Sequence, residues 1–198
     1  PLSVGFNAAY LWGEFDRSFT GVTSISSAKY LVKQYSASVR NYKLDFGMQY
    51  EQKLGKGDLL TLGATYSPGH SLKTDPTCRI ISVNTSASQN DTTSYVVHDG
   101  LSLPTAYGFG LAYSHHDKLR VGADLQVQKW GSVDMPSDEG GTYALRSGLL
   151  KDSYRANLGA EWIPNPQSTR HVLSHMRYRI GAGFATPYYN INGQDGPK

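Results

Sequence analysis

A chain of 198 residues with a net charge of +3 suits a single domain, and the mild charge, with no basic cluster interleaved with aromatics, argues against a nucleic-acid partner. Mean hydropathy is −0.43, and no run approaches the roughly 18 apolar residues of a membrane-crossing helix. A barrel that crosses with strands stays open, because only every second residue then meets lipid.

Seven segments alternate apolar with polar or small residues, the two-residue period of a strand with unlike faces. The first is Leu2–Trp12, with Leu2, Val4, Phe6, Ala8, Tyr10 and Trp12 on one side. The second is about Val39–Glu51, with Tyr42, Leu44, Phe46, Met48 and Tyr50 against Lys43, Asp45, Gly47, Gln49 and Glu51. Asp58–Ser67 and Thr105–Tyr113 follow, the latter carrying Tyr107, Phe109, Leu111 and Tyr113. The fifth, Leu119–Trp130, is the most regular: Leu119, Val121, Ala123, Leu125 and Val127 oppose Arg120, Gly122, Asp124, Gln126 and Gln128. A helix of period 3.6 cannot sort residues so cleanly. Ser153–Trp162 and Arg177–Ala185 complete the set. Segments of about ten residues exceed the usual globular strand and match the roughly 9–11 tilted residues that cross a bilayer.

The connections alternate in length. Gly55–Asp58, Ser114–Asp117 and the moderate loop Pro164–Ser174 contrast with long polar stretches over 13–38, 68–103 and 131–152. Outer-membrane barrels have short periplasmic turns and long extracellular loops. Within 68–103, Arg79–Val83 and Thr93–His98 read as a small extra hairpin. The predicted fold is therefore all-β: an antiparallel up-and-down transmembrane β-barrel, present in part as about seven strands. Seven strands with two open edges do not finish a barrel, because unpaired backbone groups in hydrocarbon cost several kcal/mol each. Residues 1–198 are expected to be part of one barrel domain, with earlier strands and a final strand elsewhere in a longer mature protein. Aromatics near strand ends, among them Trp12, Tyr42, Tyr66, Tyr107, Tyr154 and Trp162, suit interfacial girdles. Strict alternation turns Trp130 inward.

Charges gather on the face opposite the apolar one: Lys43, Asp45, Glu51, Arg120, Asp124, Arg155, Glu161, Arg177 and Arg179. On a lipid face each Arg or Lys would cost roughly 2–4 kcal/mol at the midplane. A network of ion pairs bracing the wall explains them; so does a polar constriction or a ligand-headgroup site. Arg120, Asp124, Arg155, Glu161, Arg177 and Arg179 are the lumen-facing ligand candidates, with the arginines suited to a fatty-acid carboxylate. Each segment also places a glycine inward: Gly5, Gly47, Gly63, Gly110, Gly122, Gly159 and Gly181. They suit a plugged lumen or a curved wall.

His115-His116 reads most simply as a turn, and His171 with His175 as part of a solvated loop. Asn84-Thr85-Ser86 and Asn90-Asp91-Thr92 match the glycosylation sequon, which marks exposed loop. The lone Cys78 forms no internal disulfide. No G-x-S-x-G, HExxH, P-loop or EF-hand motif occurs. No enzyme activity, catalytic residue, cofactor or metal site is expected.

Two stretches carry a family resemblance. One is Leu103-Pro104, Gly108-Phe109-Gly110-Leu111-Ala112-Tyr113, Asp117-Lys118-Leu119, Gly122-Ala123-Asp124 and Trp130. The other is Asp152-Ser153-Tyr154-Arg155, Leu158-Gly159-Ala160-Glu161-Trp162 and Tyr178-Arg179-Ile180-Gly181-Ala182-Gly183-Phe184. Over about 101–188 they resemble the C-terminal part of the FadL/TodX-type outer-membrane transporters of hydrophobic compounds, in the version of Bacteroides-like bacteria. The resemblance implies a monomeric barrel of about fourteen strands, plugged by an N-terminal hatch that would precede Pro1. It also implies passive uptake of hydrophobic molecules such as long-chain fatty acids across a bacterial outer membrane. The expected partners are outer-membrane lipid and a hydrophobic ligand. Two other readings stand beside this one: a barrel whose extracellular loops bind a partner protein, and a soluble secreted β-sandwich.

Overall fold

The structure, a computed structural model, describes residues 1–198 except 23–28, 85–88, 117, 138–141, 166–171, 192–193 and 196–198. Its strands are β1 (Leu2–Val22), β2 (Lys29–Gly55), β3 (Asp58–Ser67), β4 (His70–Ser71), β5 (Thr77–Asn84), β6 (Gln89–Val96), β7 (Ser102–Leu103), β8 (Ala106–His115), β9 (Leu119–Gln128), β10 (Met135–Ser137), β11 (Ala144–Arg146), β12 (Ser153–Trp162), β13 (Tyr178–Ala185), β14 (Asn190–Ile191) and β15 (Gln194–Asp195). One helical turn, Val172–His175, precedes β13. His171, Asp117 and residues 85 and 86 of the first sequon lie outside the described residues.

The wall runs β1-β2-β3-β8-β9-β12-β13, every pair antiparallel and in chain order. It is half of an up-and-down barrel, as the alternation predicts. The register carries each face across the wall. Phe6 lies opposite Phe46, Phe46 opposite Tyr66, and Tyr66 opposite Tyr107. On the other face Gly5 lies opposite Gly47, Gly63 opposite Gly110, and Gly159 between Gly122 and Gly181. A one-residue slip would exchange the two faces, so the alternation pins the register.

The convex face is apolar and bare. Phe6 is 76% exposed, Trp12 78% and Ile180 78%, so nothing within these residues packs on this face. A sandwich would need a second sheet packed about 10 Å away; among the described residues nothing covers this face. The described wall strands form one continuous antiparallel sheet, so the soluble-sandwich reading is not favoured. Tyr10, Trp12, Tyr42, Tyr66, Tyr107 and Tyr154 ring one end of the apolar band, and Tyr50, Tyr113, Trp162 and Tyr178 the other.

The structure refines three sequence expectations. The stretch 13–38 is not a polar loop. β1 and β2 continue as one paired ribbon from Leu2–Tyr50 to Val22–Tyr30. The two-residue period persists there but its polarity inverts. Below Trp12 the outward residues are apolar; above it they are Glu14, Asp16, Ser18 and Thr20, while Phe15 and Phe19 occupy the inward side. The outward side turns polar where the ribbon passes beyond the apolar band, and the inward Phe19 ring meets Tyr35. The stretch 68–103 holds the expected hairpin as β5–β6, and β5 pairs with the projecting part of β2, over residues 29–36. Trp130 lies just beyond the strand that was expected to carry it. β9 stops at Gln128, and Trp130 opens a 3-10 turn, stacks on Tyr188 at 4.8 Å and donates its Nε1–H to Gln128 Oε1 at 2.8 Å.

The β2–β3, β8–β9 and β12–β13 connections lie at one end of the wall. The β1–β2, β3–β8 and β9–β12 connections lie at the other, where Tyr189 bridges Leu150. At that long-loop end Cys78, Val97 and Tyr143 form a small buried core against Tyr35, Ile80 and Tyr95. Among the described residues β1 pairs only with β2 and β13 only with β12, so the wall is open at both edges.

Candidate functional site

The concave face has three levels. The uppermost is the mouth at the long-loop end. Because the ribbon inverts its polarity, Phe15, Arg17 and Phe19 of β1 face inward with Tyr35 of β2. With Pro136 and Tyr143 they line a hollow of about 330 Å³. The Phe19 and Tyr35 rings meet edge-on at 6.1 Å, and Tyr35 meets Tyr143 at 6.0 Å. The Arg17 guanidinium lies 4.3 Å from the Phe19 ring centroid, a cation–π contact. No carboxylate pairs with Arg17 among the described residues. The mouth thus offers apolar rings and one available cation.

The middle level is a trough along the glycine stripe, with hollows of about 610 Å³ and 510 Å³ that share Gln49, Gly63, Gly110 and Asp124. An added Cβ would meet nothing within 4 Å at Gly5 or Gly110, and only ordinary contacts at Gly47, Gly63, Gly122 and Gly159. Wall packing therefore does not demand these glycines; what their small size does is keep the trough open. Polar clusters flank it. Asp45 accepts bonds from Lys43, from Ser67 at 2.5 Å and from Asn7 at 3.4 Å. Asp124 accepts one from Asn157 Nδ2 at 2.8 Å.

The lowest level, at the short-turn end, joins four of the six predicted candidates. Glu161 of β12 lies opposite Arg120 of β9 and Arg179 of β13. Arg179 Nε donates to Glu161 Oε2 at 2.6 Å, and Arg177 Nη1 stands 3.7 Å from Oε1. Three guanidiniums thus gather around one carboxylate. Asp124 belongs to the middle level. Arg155 stands apart from the cluster, opposite Gln126 and Ala185. Arg177 precedes β13 rather than opening it.

Sequence reasoning missed the mouth residues. The signal was present as the inversion of the alternation after Trp12, but it emerges only once the period is followed past the point where the apolar side changes. Outside the wall strands, Lys129 and Asp152 form an ion pair, and Asp152 also accepts the Gly131 N–H at 3.0 Å. The ammonium holds the Asp152 carboxyl below its ordinary range, and the carboxylate raises Lys129 above its own.

Two solved structures share this fold. The CymD monoaromatic hydrocarbon channel is 14% identical with a TM-score of 0.58, covering 94% of this chain and 56% of its own. The Ralstonia pickettii toluene transporter TbuX is 15% identical with a TM-score of 0.58, covering 93% of this chain and 51% of its own. The chain thus spans about half the length of the solved structures it matches. No curated protein matches it in sequence. One family's sequence pattern does run along nearly all of the wall and its loops, from residue 1 to residue 196, and by that match the chain belongs to the BamG family.

Proposed function

We propose that this chain forms part of the wall of a bacterial outer-membrane barrel through which hydrophobic compounds pass without catalysis. The observation that carries the proposal is the amphipathic inversion of β1–β2. It marks a hydrocarbon boundary near Trp12 and leads an aromatic mouth into a glycine-floored trough. The likeness to a hydrocarbon channel and a toluene transporter supports the class of cargo. Arg17 at the mouth and Arg120, Arg177 and Arg179 at the far end favour cargo with an acidic head, of which long-chain fatty acids are the simplest case.

The test is uptake of a labelled fatty acid into cells carrying the full-length protein, compared with Gly110→Trp. The indole would fill the trough without crossing the wall, and uptake is expected to fall about tenfold or more with barrel assembly unchanged. Unaltered uptake, or a purified barrel that binds no acyl ligand and instead holds a partner protein, would overturn the proposal.

A further inference from the structure

At the short-turn end, two turns lie side by side. Asp58 opens β3 after the turn at 55–58, His115 closes β8, and His116 begins the turn that follows it. The register places Asp58 directly opposite His115. His115 Nδ1 stands 2.5 Å from Asp58 Oδ1, and His116 Nδ1 stands 4.0 Å from the same oxygen. His116 Nδ1 is 3.3 Å from the same His115 Nδ1. One ligand atom from each of the three residues lies within 4.8 Å of the others. Around a tetrahedral ion with bonds of about 2.0–2.1 Å, neighbouring ligand atoms sit roughly 3.3 Å apart.

The arrangement is held from two sides. His116 has φ +47°, a left-handed conformation rare for a side-chain-bearing residue. Its ring lies over Gly57, where an added Cβ would come within 2.6 Å of it. Glycine at 57, itself at φ +93°, is what lets the imidazole stay beside Asp58.

We propose that Asp58, His115 and His116 bind one divalent transition-metal ion, with Zn²⁺ favoured and water completing the shell. Two imidazoles and a carboxylate are borderline ligands that select such ions over Mg²⁺ or Ca²⁺. Asp58 and His115 share the outward side of the wall with Leu60 and Tyr113, away from the trough. The ion therefore clasps two turns and takes no part in conduction.

The test uses the full-length protein, free of any histidine tag, purified in detergent, stripped with chelator and titrated with Zn²⁺ or Mg²⁺. Native mass spectrometry is expected to show one Zn²⁺ per barrel and no Mg²⁺. His116→Ala and Asp58→Asn should each weaken Zn²⁺ binding at least tenfold while barrel assembly persists. The X-ray absorption spectrum of the Zn²⁺ form should show nitrogen and oxygen neighbours at about 2.0 Å. Absence of saturable Zn²⁺ binding, or binding that both variants retain, would overturn the assignment.

Discussion

Asp152 stands where β12 begins and anchors the turn that follows β9. It takes charge from Lys129 and a hydrogen bond from the Gly131 amide. Its folded pKa lies below its unfolded one, so its contribution to stability is present above the ordinary carboxylate value and lost as pH falls through the folded value. Lys129 is raised, so its contribution is present below the ordinary lysine value and lost as pH rises through the raised one. Between about pH 5 and pH 9 the pair should contribute steadily. Both side chains keep contact with water, so the effect is small. Asp152→Asn should lower the unfolding midpoint at pH 7 slightly, and the difference from the parent should shrink as pH falls below the ordinary carboxylate value and through the lowered folded one. Thermal melts of the two proteins across that range decide it; a gap that persists in acid would refute the ion-pair account.

Along a single element the decisive feature is the position at which the wet face changes sides. Leu158 lies mid-band on β12, 59% exposed on the convex face. Leu158→Arg is expected to cost about 2–4 kcal/mol, the range for a cation at the bilayer midplane. Ser18 points to the same side of the wall but lies above the inversion, so Ser18→Arg should change stability by less than about 0.5 kcal/mol. Reversible unfolding in lipid vesicles measures both. Equal costs at the two sites would mean that the boundary near Trp12 is misplaced. The inverted ribbon also explains why 13–38 reads as loop from the residues alone. A search for one apolar side loses the strand where that side becomes charged, although backbone pairing continues unbroken to Val22.

For the whole molecule, parity matters. Seven antiparallel wall strands leave β1 and β13 running in the same direction. An antiparallel closure then needs an odd number of further strands, giving the even total typical of bacterial barrels. Two copies of this half joined edge to edge would instead meet through parallel ladders, which pair slightly less well. We propose closure within one longer chain, and native mass spectrometry of the detergent-extracted protein should give a monomer. A stable dimer that dissociates on disruption of β1 would contradict this.

The alternation alone was enough to assign strand class, faces and the alternation of connection lengths, because a two-residue period leaves one choice of face once a side is apolar. It also placed Glu161 and Arg179 on the wet side, since their partners follow from the meander. Three features depend on the assembled wall. The mouth forms because β1 and β2 project together past the apolar band. The openness of the trough follows from glycines whose neighbours leave space. The Asp58–His115–His116 cluster joins residues 57 positions apart. Distances across hairpins arise from register and strand twist acting together, and neither acts within the short window in which residue patterns can be read.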